Sequence, residues 1–485
     1  MFGATIKEMN IIVKIFSLLL LIVVGNNSFA QSIKLTKTEM YRDFDTLVYH
    51  LNATSPHIVI KKDLWHYDAN KQWQALRTTI DTISSNESFA LLLRRALFAA
   101  QDEHTSLLSD EDHYEEKSRE FRLYLPVSYQ AGKYLVARSF IAGPDTVRAG
   151  SEIIAMEGEK VNRYLNKHIS DIDYSYDLGR KQFYSTGFYK NAATLYQHNI
   201  HLAIKQRHRK SQEVSLPVTE RLQFVNPIMD TIKGIKVDYW HDEKVLYIKL
   251  YLMEPGFISR FKPQIYRYKH SAINRVIVDL RGNGGGSDTT WQSLYACLLP
   301  RPVSYELKID GYNPSQLQAD YLQNAGIRTQ DVKKDTDRLL RKYHFYTWAN
   351  ATQTLAPSDS SIRFKGKIIV LGEDIYSSAG SAFIIPNASA EDSIYSVGRE
   401  TGMFLGVGYS PVVFELPNSK IRFRVAPSLE VTDASKLTDL MHDRYDFVVP
   451  GTKEELIRRD TFKGNTLGRY YLQHFDPFIQ KAMAL

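Results

Sequence analysis

From Lys37 to Ala100, apolar residues return at helical spacing: Tyr41, Phe44, Leu47 and Val48, then Phe89, Leu92, Leu93, Ala96 and Leu97. Side chains three and four apart share one helix face, so the stretch predicts amphipathic helices, with Asn86 as a cap. From Phe121 the period drops to two. Leu123, Leu125 and Val127 alternate, and Tyr134-Leu135-Val136 and Val147 follow, which predicts strands. Farther on the apolar runs become continuous: Val245 to Leu250, Val276 to Leu280 and Lys367 to Gly372. Short runs rich in β-branched residues and bounded by breakers read as buried strands. A helix from about Ile258 to Tyr268 separates the first two, and this alternation predicts a largely parallel sheet with helices on its faces. Between Asp310 and Lys365 a polar, helix-prone stretch interrupts the alternation and is a candidate lid.

These changes of period divide the chain into residues 1–30, a helical region 31–115, a β module 116–220, an α/β core 235–435 with 310–365 as the lid insertion, and an extension 436–485. The 485 residues, 44% hydrophobic, suffice for two or three packed domains.

Two strand ends carry the candidate chemistry. Val276 to Leu280 leads into Arg281-Gly282-Asn283-Gly284-Gly285-Gly286-Ser287-Asp288. Glycines at the carboxyl end of a buried strand let the backbone turn its N–H groups into a cleft. No Gly-Lys-Ser/Thr follows and the spacing is not a dinucleotide fingerprint, so the loop does not read as a phosphate site. After the Lys367–Gly372 run comes Ser377-Ser378-Ala379-Gly380-Ser381 before an apolar stretch. Small residues at a strand-to-helix turn expose a hydroxyl and place the next N–H at the positive end of a helix.

The chain resembles the carboxyl-terminal-processing and tricorn-core serine peptidases, in the tricorn-like branch. The family's Asp-Leu-Arg-x-Asn-x-Gly-Gly strand end matches Asp279 to Gly286, and its Ser-Ala turn matches Ser377 to Ser381. A Gly-x-x-Thr-Gly segment matches Gly398 to Gly402, and the branch's Asp-x-His-Thr/Ser segment matches Asp102 to Ser106. Leu416 to Ser419 resembles the sheet-closing hairpin of secreted members, and Gly150 to Gly158 a hairpin of PDZ domains without the usual carboxylate-binding loop. The resemblance implies an α/β and α+β multidomain protein: an N-terminal helical region, a degenerate PDZ-like module and a ClpP/crotonase-like α/β catalytic core.

It also implies roles. Ser378 is the nucleophile. The processing branch supplies a lysine downstream of it, but here Met403 stands at that place and no lysine lies between Ser378 and Lys420. The tricorn-like branch uses an upstream histidine, which points to His104. An imidazole suits this task, since its ordinary pKa of about 6.5 lies near operating pH. His57 reads as part of a loop that packs the helices, and His241 as part of a turn. Glu430 is the candidate carboxylate that orients the base, with Glu400 and Glu103 as rivals. Ala379 and Gly285 are the candidate oxyanion donors, since relatives carry proline at the Gly284 place. Asp279, Arg281, Gly284 and Gly286 support the loop.

The rest of the composition narrows the reading. Sixty-one basic against 54 acidic side chains is a mild excess and leaves no nucleic-acid footprint. The densest basic run, Lys205 to Lys210, reads as a solvated hairpin tip. The single Cys297 sits on a buried helix face, and no metal-ligand spacing appears, so neither a metal nor a cofactor is expected. Lys7 and Lys14, the apolar Ile15 to Val24 and the small-x-small Ser28-Phe29-Ala30 predict a signal peptide cut before Gln31. The expected product is exported, periplasmic or extracellular, without stable membrane insertion, and acts on a peptide or protein substrate. Two alternatives remain open: a non-catalytic peptide or ligand binder on the same fold, and a crotonase-like acyl-handling enzyme.

Overall fold

The computed structural model describes residues 34–108, 124–170, 175–185, 187–189, 199–206, 210–217, 221–226, 234–373, 393–399, 408–441 and 445–485. The signal-peptide segment, residues 207–209 of the Lys205–Lys210 tip, Ser378, Ala379, Glu400 and Met403 lie outside the described residues. Among the described residues no helix is long and apolar enough to cross a membrane.

Four helices come first: α1 (Lys37–Thr54), α2 (His57–Leu64), α3 (Ala69–Arg77) and α4 (Asn86–Phe98). A capping box starts α1: the Thr36 N–H donates to the Glu39 carboxylate at 2.7 Å, while the Thr36 hydroxyl accepts the Glu39 N–H. Met40, Phe44, Leu47 and Leu51 form its buried stripe. The cap of α4 is Ser85, not Asn86; the extended backbone at Ser85 lets its hydroxyl accept the Ser88 N–H at 3.2 Å. Asn86 instead accepts the Leu35 N–H, tying down the chain ahead of α1. His57 also departs from expectation. It opens α2 directly after Pro56, whose fixed φ suits a helix start, and it is buried. After α4 the chain passes Asp102 and His104 into the short strand β1 (Ser106–Leu107).

The β module contains β2 (Tyr124–Gln130), β3 (Lys133–Val136), β4 (Glu152–Met156), helix α5 (Val161–Lys167), β5 (Gly187–Tyr189), β6 (Asn199–Lys205) and β7 (Gln212–Pro217). Their spatial order is β5-β2-β3-β4-β6-β7, antiparallel throughout.

The core follows with β8 (Ile235–Trp240), β9 (Val245–Leu250), α6 (Ile258–Tyr266), β10 (Arg275–Asp279), α7 (Asp288–Leu298), β11 (Val303–Gly311), α8 (Ala319–Asn324) and β12 (Tyr346–Leu355). Next come β13 (Lys367–Gly372), β14 (Ile394–Gly398), β15 (Val412–Glu415), β16 (Arg422–Val425), β17 (Ser428–Glu430) and β18 (Phe447–Val448). The chain ends in α9 (Lys453–Thr461), α10 (Arg469–Phe475) and α11 (Pro477–Ala484). The central sheet runs β8-β9-β10-β13-β14-β18. Only the β8–β9 pair is antiparallel.

Both faces of this sheet are covered, which explains the continuous apolar runs. Val276, Val278 and Leu280 pack with Phe261 and Ile265 of α6 and Trp291 and Leu294 of α7. Tyr247, Ile277, Ile369 and Leu371 pack on Phe478 and Ile479 of α11. Cys297 is buried on α7.

The 310–365 stretch is not mainly helical. It is helical in α8 and in isolated 3₁₀ turns, and its longest element is β12, paired with β11 along nearly its whole length. Tyr346, Thr347, Trp348, Thr352 and Thr354 supply the β-branched and aromatic character that a polar reading overlooked.

A separate three-stranded sheet, β1-β16-β15, joins the helical region to the core. Its hairpin tip is held by Asp43 of α1, a fully buried carboxylate that accepts the N–H groups of Asn418 and Ser419 at 2.9 and 2.7 Å and the Asn418 amide at 2.8 Å. Removing the acceptor leaves these donors unpaired, at about 1–3 kcal/mol each where water cannot replace it. Asp43→Ala is therefore expected to lower stability by about 3 kcal/mol, read as a drop in the urea midpoint at unchanged slope.

Candidate functional site

The glycine loop leaves β10 at a buried charge network. Asp279, with no exposed surface, takes a bidentate contact from Arg281, Nε to Oδ1 at 2.9 Å and Nη2 to Oδ2 at 2.7 Å. Tyr247 donates its hydroxyl to Oδ2 at 2.8 Å, and buried Lys249 its ammonium to Oδ1 at 3.2 Å. Burial alone would raise the Asp279 carboxyl, but Arg281 and Lys249 outweigh it and hold it well below the usual range. Arg281 reaches on to Asp476 at 2.8 Å. Asp476 also caps α11, its other oxygen accepting the N–H groups of Phe478 and Ile479 at 3.0 Å. Asp279 and Arg281 sit in this network at the base of the loop, and its further members Lys249, Tyr247 and Asp476 were missed as candidates.

The loop's own N–H groups are distributed one by one. Gly282 donates to the Glu373 carbonyl at 2.7 Å and Gly284 to the Tyr251 carbonyl at 2.9 Å. Gly285 donates to the Asn283 side chain at 2.8 Å, and that buried amide is fixed by the Leu250 carbonyl. The N–H expected to be an oxyanion donor is therefore engaged. Gly286 is exposed, and its N–H has no partner among the described residues. It lies at φ +134°, and a Cβ there would meet the Met253 carbonyl oxygen at 2.5 Å, so only glycine fits.

Glu373, the last described residue before the Ser378 segment, is tied to the same ensemble. Its carbonyl holds Gly282, and its carboxylate pairs with Arg399 at the end of β14. Arg399 also pairs with Glu455 at 2.7 Å, and the guanidinium groups of Arg281 and Arg399 both lie within 5 Å of the Phe478 ring. A cleft of about 1240 Å³ opens beside Arg399, between the β module and the segment leading into α9. Tyr129, Tyr184, Lys205, Gly451 and Lys453 line it; His104, Glu430 and the glycine loop do not.

His104 lies in the turn between α4 and β1, 17% exposed. Its N–H donates to Asp102 Oδ1 at 3.1 Å, and Thr105 donates its hydroxyl to Oδ2 at 2.6 Å. Burial pushes the His104 imidazole below its ordinary value, the Asp102 carboxylate opposes this, and Arg424 and Lys61 reinforce it. Glu430 ends β17, in register with Ile309 of β11. Two residues earlier, the Ser428 carbonyl accepts His57 Nε2 at 3.1 Å, so buried His57 links α2 to the strand that carries Glu430. His241 sits in the β8–β9 turn. Among the described residues no group of three or more His, Cys, Asp or Glu is arranged to hold a metal ion.

Two outcomes follow from these networks. Arg281→Ala strands the Asp279 carboxylate in the sheet, and a loss of about 3–5 kcal/mol is expected in urea unfolding. His57 is pushed by burial down to about 4 from an unfolded value near 6.5. Its folded form resists protonation, so stability is full above about pH 6.5 and falls as pH drops toward 4. His57→Gln should flatten that slope; urea midpoints at pH 7 and 4.5 that keep the wild-type difference would contradict it.

Residues 244–430 match the model of peptidase family S41. Among solved structures, mature CPAF complexed with lactacystin aligns at TM-score 0.58 and 12% identity, over 92% of this chain and 98% of that one. Mature CPAF alone aligns at 0.57 and 13%, over 93% and 97%. The photosystem II D1 C-terminal processing protease gives a looser likeness, 0.40 at 14% identity, over 88% and 97%. No curated protein matches the chain. The family match spans both strand ends described above, from the turn before β9 to Glu430, so this part of the chain is similar to the S41 family of serine peptidases.

Proposed function

We propose that this chain is an exported peptidase that cleaves peptide or protein substrates through an acyl-enzyme, with Ser378 as nucleophile and His104 as base. The observation that carries the reading is the register of β10 and β13. Asp279 pairs with Leu371, and the Gly282 N–H holds the Glu373 carbonyl, so the glycine loop and the segment leading to Ser378 leave the sheet side by side. A hydroxyl beside N–H groups that can hold an oxyanion is what acyl transfer requires, and of the loop's N–H groups that of Gly286 has no partner among the described residues.

In this mechanism His104 takes the Ser378 proton as the hydroxyl attacks the scissile carbonyl, then gives it to the leaving amine. Water repeats the attack on the acyl-enzyme. The oxyanion is held by the Ala379 N–H and one glycine-loop N–H, each worth about 3 kcal/mol of barrier. Because Gly285 already serves Asn283, we assign the loop donor to Gly286. Glu430 is kept as the acidic group on the strand that His57 ties to α2. Export rests on the lysine-flanked apolar segment before Gln31.

The test is a mass-spectrometric screen of a diverse peptide mixture with wild type, Ser378→Ala and His104→Ala. Cleavage that falls about a thousandfold or more in both variants supports the pair. Cleavage lost only in Ser378→Ala rejects His104 as base, and a folded wild type that cleaves nothing favours a binding protein on this fold.

A further inference from the structure

The sheet built on β11 carries a charge cluster that the proposed peptidase chemistry leaves unused. Its four strands run in the order Lys333–Lys334, β12, β11, β17. Asp310 of β11 pairs with Thr347 of β12 on one side and Leu429 of β17 on the other. The register with β12 slips between Ile309 and Asp310, so Trp348 bulges out of the ladder. Asp310 has no exposed surface, and neither of its carboxylate oxygens has a hydrogen-bond partner. A buried carboxylate in that state is costly as an anion.

One cation is shared among three carboxylates. Lys308 Nζ stands 3.5 Å from Asp310 Oδ2, 3.1 Å from Asp335 Oδ1 and 3.5 Å from Asp337 Oδ2. Asp335 is itself buried, and its Oδ2 has no hydrogen-bond partner. The other neighbours bring no charge to Asp310. β12 presents the Thr347 hydroxyl, and β17 presents Ser428 and Leu429. Glu430 is in register with Ile309, on the opposite face, and Lys333 and Lys334 are exposed on the outer strand. Like charges in one buried site drive one carboxyl toward its protonated form. Burial, with Asp335 beside it, raises Asp310 to about 6 against the pull of Lys308 and Thr347. Lys308 also joins the two sides of the sheet. Its N–H donates to the Thr432 hydroxyl at 3.0 Å and its carbonyl accepts the Val431 N–H at 2.9 Å, just past β17. Its ammonium meanwhile holds Asp335, which follows the Lys333–Lys334 strand.

We propose that Asp310, Lys308 and Asp335 form an acid-responsive clasp across this sheet. When Asp310 takes a proton from solvent its carboxyl is neutral, and Lys308 is left to Asp335 and Asp337. The outer strand is then held tightly to the sheet. When Asp310 gives the proton up, two buried anions compete for the one ammonium group, and the 333–347 edge opens more readily. Folded Asp310 titrates near 6 and the unfolded carboxyl near 3.8. Its contribution to stability is therefore full below about pH 3.8 and is lost as pH rises through about 6. His57, held by Ser428 of the same sheet, acts in the opposite sense. The clasp works without Ser378 or His104, so it does not depend on the peptidase reading.

The experiment is amide hydrogen exchange of the full chain, read by mass spectrometry on peptides covering 333–347 and corrected for the intrinsic rate at each pH. In wild type, protection there is expected to be about tenfold higher at pH 5 than at about pH 7.5. In Asp310→Asn it is expected to be equal at the two. Equal protection in wild type, or a difference that survives in Asp310→Asn, overturns the proposal. Peptides from β8 and β9 are the control, and the same difference in them marks a global effect and overturns a local clasp. Two further variants decide even where Asp310→Asn does not fold. Lys308→Met removes the cation and moves the midpoint of the protection profile up, while Asp335→Asn removes the rival anion and moves it down. A midpoint that does not move in these opposite directions overturns the proposal.

Discussion

The Asp279 carboxylate is the point on which the glycine loop depends. Placing a charge inside a sheet costs several kcal/mol unless its lone pairs are filled, and here Arg281, Tyr247 and Lys249 fill them. Arginine is suited to this position because its planar fork meets both carboxylate oxygens and still leaves Nη1 for Asp476. Asp476 in turn holds the first turn of α11 with its second oxygen. A single chain of charges therefore runs from the strand end, through the first residue of the loop, to the last helix. The loop conformation is set by what lies beneath it as much as by its glycines.

A second set of contacts, made by other residues, surrounds the turn that carries His104, the proposed base. Asp43 clamps the β15–β16 hairpin tip, β1 pairs with β16 through Ser106 and Leu107, and His57 holds the Ser428 carbonyl. Each joins residues more than 300 positions apart in the chain. The turn that bears His104 is thereby fixed to the strands that end in Glu430, although it belongs to the helical region.

Legibility followed the range of the interactions. The central strands were plain because burial on both faces removes polar residues from them, and the glycine loop was plain because its composition is extreme. The first helices were plain as well, since their apolar stripe repeats locally. Lys249 was not, because one lysine in an apolar strand reads as a solvated position, and only Asp279 on the next strand gives it a reason to be buried. Asp476 and Asp43 act on partners some 200 and 375 residues away, which no local window registers. Asn283 was read as part of a motif, yet its amide takes the Gly285 N–H that the motif suggested was free. β12 was missed because Asn350, Thr352 and Gln353 are exposed on an edge-facing strand and look like a loop. Asp102 stood beside His104 in plain view, but its burial is a tertiary property that no local window registers.

The two support networks also explain why this fold assembles its site from the ends of the chain. Three of the glycine loop's N–H groups, those of Gly282, Gly284 and Gly285, are engaged by neighbouring oxygens, and further rigidity comes from outside the loop through Asp476 and Phe478 of the C-terminal segment. At the turn of His104, the proposed base, the backbone is fixed from its own side by Asp102, which accepts its N–H. The groups that hold the glycine loop and the His104 turn are buried, and Asp476 and Ser428 act across about 200 and 370 residues of sequence. Cutting either network would leave the motif residues in place and the site without its geometry.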